Sequence, residues 1–79
     1  MLIMTSEQCR AGRAILGLTQ PGLAAAAVLG LSTVVDFERG RRAVSAEAVT
    51  AMRSALEAAG VIFIDENGEG PGVRLRKHT

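Results

Sequence analysis

Leu18-Thr19-Gln20-Pro21-Gly22-Leu23-Ala24-Ala25-Ala26-Ala27-Val28-Leu29-Gly30-Leu31-Ser32-Thr33-Val34-Val35-Asp36-Phe37-Glu38-Arg39-Gly40 reads as two short helices with a tight turn between them. Thr19 is an N-cap candidate, and Pro21 is tolerated in a first turn, where its missing N–H has no intrahelical partner anyway. Leu23 and the four alanines after it favour helix, which ends near Val28 or Leu29. The next segment, 31–38, is locally ambiguous. Its β-branched run, Thr33-Val34-Val35, suits a strand, while the Val34–Phe37 spacing fits one helical face and Gly40 a C-terminal stop. The short helices around it tip the reading to helix.

Further helices flank this unit. Thr5 with Gln8 three residues later fits a capping box, opening a helix that runs to Leu16 and stops at Gly17. Cys9, Gly12 and Leu16 share one face of it, with Ile15 beside Leu16 and Arg10 off that face. After Gly40, Arg41-Arg42-Ala43-Val44 is a linker. Ser45 caps a fourth helix, with Glu47 in its first turn favoured by the helix dipole. Val49, Met52, Leu56 and Ala59 recur at three and four residues as its buried stripe, and Gly60 ends it. The period then changes. Val61-Ile62-Phe63-Ile64 is a short apolar run and Val73-Arg74-Leu75-Arg76 alternates, with turn formers dense between them, which predicts a β-hairpin. A tight turn at Asn67-Gly68 would put Pro71 in the ladder without an N–H to donate, so a longer loop is expected.

The chain has 79 residues, enough for one domain and one core. Hydrophobic residues make up 48% and aromatics 3%, only Phe37 and Phe63, so the core must be built from aliphatic side chains. The net charge of +1 falls short of a strongly basic nucleic-acid binder. Distribution says more, because Arg39, Arg41 and Arg42 form one basic cluster, and Arg74, Arg76, Lys77 and His78 another. A single cysteine, Cys9, allows no internal disulfide and fits a reducing compartment. The first residues do not read as a signal peptide, and the apolar stretch 28–35 is too short to span a membrane. The expected location is cytoplasmic.

Two short helices and a tight turn, after one helix and before another, make a helix-turn-helix arrangement. Leu18-Thr19-Gln20, Leu23-Ala24, Ser32-Thr33-Val34 and Phe37-Glu38-Arg39-Gly40-Arg41-Arg42, taken in order and without insertion, resemble the Cro/phage-repressor (XRE-type) family. The resemblance covers Cys9 to about Leu56. It implies a mainly α fold, a four-helix lambda-repressor-like core over residues 5–59, to which the change of period adds a C-terminal β-hairpin over residues 61–76. It also implies a sequence-specific DNA-binding transcriptional regulator, bacterial or phage-like, acting on double-stranded DNA. Leu23, Ala27, Val34 and Phe37 would wedge the second and third helices together, with Ala24 small where their backbones approach. Thr19 and Gln20 would meet phosphate at the start of the second helix, and Arg39, Arg41 and Arg42 would meet it after the third. Base-reading positions fall on Leu31, Ser32 and Asp36, with Thr33 and Val35 near the groove wall. Leu31 could pack on a thymine methyl, Ser32 could bond a donor or an acceptor, and Asp36 could accept from cytosine N4. Arg13 and Glu38 match positions that pair the first helix with the end of the third.

The chain departs from that family in two ways. No Arg or Lys lies on the base-facing side of the third helix, and Asp36 repels phosphate. Val28 stands in a turn where the family places glycine nearby, leaving Gly30 to absorb the strain. The near-zero net charge and the acidic Asp36 favour an alternative, a protein-interaction module such as an antitoxin-like or adaptor subunit with weak or no DNA binding. No cofactor, metal site or small-molecule effector is implied. Cys9 and His78 lack intervening ligands, Gly68-x-Gly70-x-Gly72 opens no helix, and Ser45 and Ser54 lack a base, so an enzyme is not expected. The first hairpin strand is apolar on both faces, and the helices can cover only one. A homodimer is therefore expected, through Val61, Ile62, Phe63 and Ile64 with Val73 and Leu75.

Overall fold

A computed structural model describes residues 3–41, 43–65 and 67–77. Four helices precede one hairpin: α1 (Ser6–Leu16), α2 (Gln20–Ala27), α3 (Leu31–Arg39), α4 (Ala46–Ala58), β1 (Val61–Ile64) and β2 (Gly72–Leu75). The protein is mainly helical, and the ambiguous third segment is a helix despite its β-branched run.

The helix ends follow from their cap residues. The Gln8 backbone N–H donates to Thr5 Oγ1 at 3.0 Å, and the Thr5 N–H donates to Gln8 Oε1 at 2.9 Å, completing the capping box. Thr19 Oγ1 accepts from the Gly22 N–H and Ser45 Oγ from the Ala48 N–H, capping α2 and α4. The first three helices each end on a left-handed residue whose following N–H folds back onto a carbonyl of the last turn. At α1 and α3 that residue is glycine. At α2 it is Val28, with φ 57. Gly30 has an ordinary φ of −69 and serves as the N-cap of α3, so the strain falls on Val28 itself and not on the glycine two residues later.

The core is aliphatic, as the scarcity of aromatics requires. Met4, Cys9, Leu23, Ala24, Val34, Val49, Met52, Leu56 and Val61 form one buried cluster, with Ala27 and Phe37 half-buried against it. Ala48 is also buried on α4, whereas Ala59 is exposed, because α4 has already ended there. Met4 enters this core from the segment before α1, held by Arg53 of α4, which donates to the Ile3 carbonyl. Arg53 also pairs with Glu57 at 3.2 Å and lies 4.8 Å from the Phe63 ring centroid, tying α4 to the hairpin.

The hairpin is antiparallel, with Val61 opposite Leu75, Ile62 opposite Arg74, Phe63 opposite Val73 and Ile64 opposite Gly72. Its loop is long, and Pro71 stays outside the ladder. Val61, Phe63 and Val73 turn inward onto the helices. Gly12 faces Val61 and Leu56, so α1 approaches the hairpin closely. The Gln8 amide Nε2 donates to the carbonyls of Ile64 and Gly72, at 3.2 and 3.0 Å, at the loop end of the hairpin. Among the described residues no single helix is long and apolar enough to cross a membrane.

Candidate nucleic-acid interface

One carboxylate organises the surface around α3. Glu38, in the last turn of α3, is 3% exposed. Its Oε2 accepts from Arg13 Nε at 2.7 Å and from the Cys9 thiol at 3.1 Å. Its Oε1 accepts from Arg13 Nη2 at 2.7 Å and from Gln20 Nε2 at 3.0 Å. Arg10 donates to the Glu38 backbone carbonyl, and Arg13 Nη1 to the Leu18 carbonyl at 3.1 Å. One buried acid therefore holds α1, α2 and α3 together, with both oxygens filled.

The electrostatics follow from this arrangement. Burial pushes the Glu38 carboxyl upward, but the hydrogen bonds from Arg13, Cys9 and Gln20 outweigh it and hold the group below its ordinary range. Burial first, then the Glu38 hydrogen bond and charge, pushes the Cys9 thiol up, so it stays protonated and is a poor nucleophile. The Glu38 hydrogen bond raises Arg13 further. The cluster fastens helices, and its groups are already satisfied by one another.

With α3 fixed, its outward side is defined. The three residues from Val28 to Gly30 separate α2 from α3, and the two axes differ by 118°. Leu31, Ser32 and Arg39 are exposed; Thr33, Val35 and Asp36 are half-buried. Asp36 is already engaged within the chain. Thr19 is exposed at the start of α2, and Arg41 is exposed just beyond α3. Arg42 lies outside the described residues. Gln20 is half-buried, and its amide donates inward to Glu38, so this residue, expected at a phosphate, is first a member of the cluster.

The six residues expected at a two-fold interface divide. Val61 is 2% exposed and belongs to the chain's own core, beneath α1 and α4. Phe63 and Val73 lie half-buried against the same core. Ile62 is half-buried on the opposite face of β1, while Ile64 and Leu75 are exposed. Elsewhere, a groove of about 490 Å³ runs between Met4, Phe37, Val44 and Val49, with Glu7 on its lining. Among the described residues no group of three or more His, Cys, Asp or Glu side chains is placed to hold a metal ion.

Sequence reasoning overlooks Cys9, Arg10 and Gln20 as partners of Glu38. One signal is available for Cys9, because it lies four residues before Arg13 and hence on the same face of α1. What the fold defines is a small, mainly helical protein carrying a two-stranded antiparallel hairpin. Comparison with known proteins adds nothing to that class, since no family model and no curated relative matches the chain.

Proposed function

We propose that the protein is a sequence-specific DNA-binding transcriptional regulator that inserts α3 into the major groove and acts as a homodimer. The reading is carried by one observation: α2 and α3, joined by three residues and differing by 118°, are locked by Glu38 so that Leu31, Ser32 and Arg39 face outward. That geometry suits the two-helix unit of groove-reading proteins, whose second helix meets the bases while the first crosses the backbone. Thr19 at the start of α2 and Arg39 and Arg41 beyond the middle of α3 supply phosphate partners on either side. The test is fluorescence anisotropy of the full chain on random-sequence duplex at low and moderate salt. Binding that falls steeply with salt supports the reading.

A second reading has its own observation. Val28 is 89% exposed and Leu31 46%, and residues 14–35 contain no ionisable side chain. An uncharged apolar face suits a protein partner, as in an antitoxin-like or adaptor subunit. Absence of duplex binding even at low salt selects this alternative.

A further inference from the structure

The first turn of α1 separates two surfaces that complement each other. Glu7 lines the groove on one side, and its neighbour Gln8 holds the Ile64 and Gly72 carbonyls at the loop end of the hairpin on the other. The groove, about 490 Å³, is walled by Ile3, Met4, Phe37, Val44 and Val49, and among the described residues Glu7 is the one charged side chain on its lining. Ser6 Oγ donates to that carboxylate at 3.2 Å. The hairpin face turned away from the helices carries Ile62, half-buried, and Ile64, exposed, with Arg74 directly across from Ile62 and Arg76 beyond it. Asp65, which follows Ile64, is drawn to Arg53 at 4.0 Å. Among the described residues neither Glu7 nor Arg74 has an ion-pair partner within the chain.

Resting on the homodimer reading above, we propose that this hairpin face of one copy docks into the groove of a second copy, with Ile62 and Ile64 on its apolar walls and Arg74 paired with its Glu7. Complementarity identifies the occupant, since an apolar groove edged by an acid meets an apolar face edged by bases. The remaining charges set the direction. Arg39 and Arg41 flank Gly40, where α3 ends on the groove, and Glu69 stands in the hairpin loop, so the hairpin lies with Arg74 toward α1 and its loop toward α3. Asp36 and Glu47 are off the lining. Groove and hairpin flank the same turn of α1, so a two-fold axis beside that turn seats each hairpin in the other copy's groove. The contact then closes on itself instead of propagating from copy to copy.

The test is sedimentation equilibrium of the full chain with charges reversed. Glu7→Lys sets a cation against Arg74, and Arg74→Glu sets an acid against Glu7, so each alone raises the dimer dissociation constant about tenfold. Mixed in equal amounts, the two variants regain wild-type affinity, because each groove then meets a hairpin of opposite charge. Glu47→Lys makes the same change in net charge away from the groove and leaves the dimer as it is, and circular dichroism confirms that every variant is folded. If the wild-type chain is a dimer that neither reversal weakens, the groove docking is wrong and the homodimer reading stands. Weakening that mixing does not restore also overturns the docking, since the two charges then do not meet across copies. A monomeric wild-type chain removes the homodimer reading and this proposal with it.

Discussion

The Cys9 thiol donates to Glu38 Oε2, the same oxygen that takes Arg13 Nε, so a neutral donor and a cation share one buried anion. With Arg13 Nη2 and Gln20 Nε2 on the other oxygen, the carboxylate is fully occupied in its charged form. Truncating a partner leaves that charge buried and under-compensated. Arg13→Ala is expected to destabilise the fold by about 3–5 kcal/mol, read from urea unfolding. Unchanged stability in this variant would mean that the pair contributes nothing. Because the folded carboxyl is held below its ordinary value, its contribution is complete above the unfolded value of about 4.3 and is lost as pH falls through the lower folded value. Unfolding midpoints should therefore drop on acidification into that range, and the drop should be smaller in Glu38→Gln.

Gln8 gives a second expectation. Its Oε1 completes the α1 cap while its Nε2 serves two hairpin carbonyls, so one side chain couples the first turn of the protein to its last strand. Gln8→Glu preserves shape and capping but turns an oxygen toward those carbonyls. A destabilisation of about 1–3 kcal/mol is expected, with faster amide exchange in β1 and β2 than in α2. Exchange rising equally in all elements would instead mean that the hairpin does not open separately.

Much of this is legible in the sequence because it is local. Caps at Thr5, Thr19 and Ser45, stops at Gly17 and Gly40, and the apolar stripe of α4 depend on neighbours a few residues away. The hairpin is legible for the same reason, through its change of period. The Gln8 hydrogen bonds to the hairpin are not legible, since they join residues 56 and 64 positions apart. The same holds for Met4 in the core and Arg53 over Phe63. Gln20 reads as a phosphate partner because the family resemblance sets the start of α2 against the DNA backbone. A buried acid from α3, 18 residues on, redirects it.

Val28→Gly tests the strained corner. A left-handed backbone costs an ordinary residue about 1–2 kcal/mol, and the added chain entropy of glycine offsets part of the relief, about 0.5–1 kcal/mol. A net gain of a few tenths to 1 kcal/mol is expected, raising Tm by a few degrees in a domain of this size. A fall in Tm would show that Val28 contributes packing that its exposure conceals.

Arg39 and Arg41 are expected to position the domain without reading sequence. Replacing both with Ala should weaken binding to all duplexes alike and lower the salt slope by about one unit for each phosphate no longer neutralised. Replacing Ser32 should instead change preference at particular base pairs. Undiminished affinity after removal of both arginines would rule out this docking orientation.

The homodimer can be tested on the hairpin's outer face. Val61, Phe63 and Val73 already serve the chain's own core, and Leu75, opposite Val61, lies on that same side, which leaves Ile62 and Ile64 on the outer face of β1. A two-stranded sheet is marginal alone and leaves open edges, so a second copy paired about a two-fold axis would cover both the isoleucines and an edge. The chain's longest dimension is 33 Å, so two copies side by side can space their α3 helices by roughly 34 Å, one turn of DNA. Cutting the chain at Gly60 is a poor test, because it removes Val61 from beside Leu56 and Gly12 and would damage the core itself. Ile62→Lys and Ile64→Lys lie outside that core and place charge on the outer face of β1. Sedimentation equilibrium at micromolar concentration should give a dimer for the wild-type chain and a monomer, with unchanged helical circular dichroism, for the variants. A monomeric wild-type chain would end the dimer model, and a dimer that survives both lysines would move the interface onto the helices.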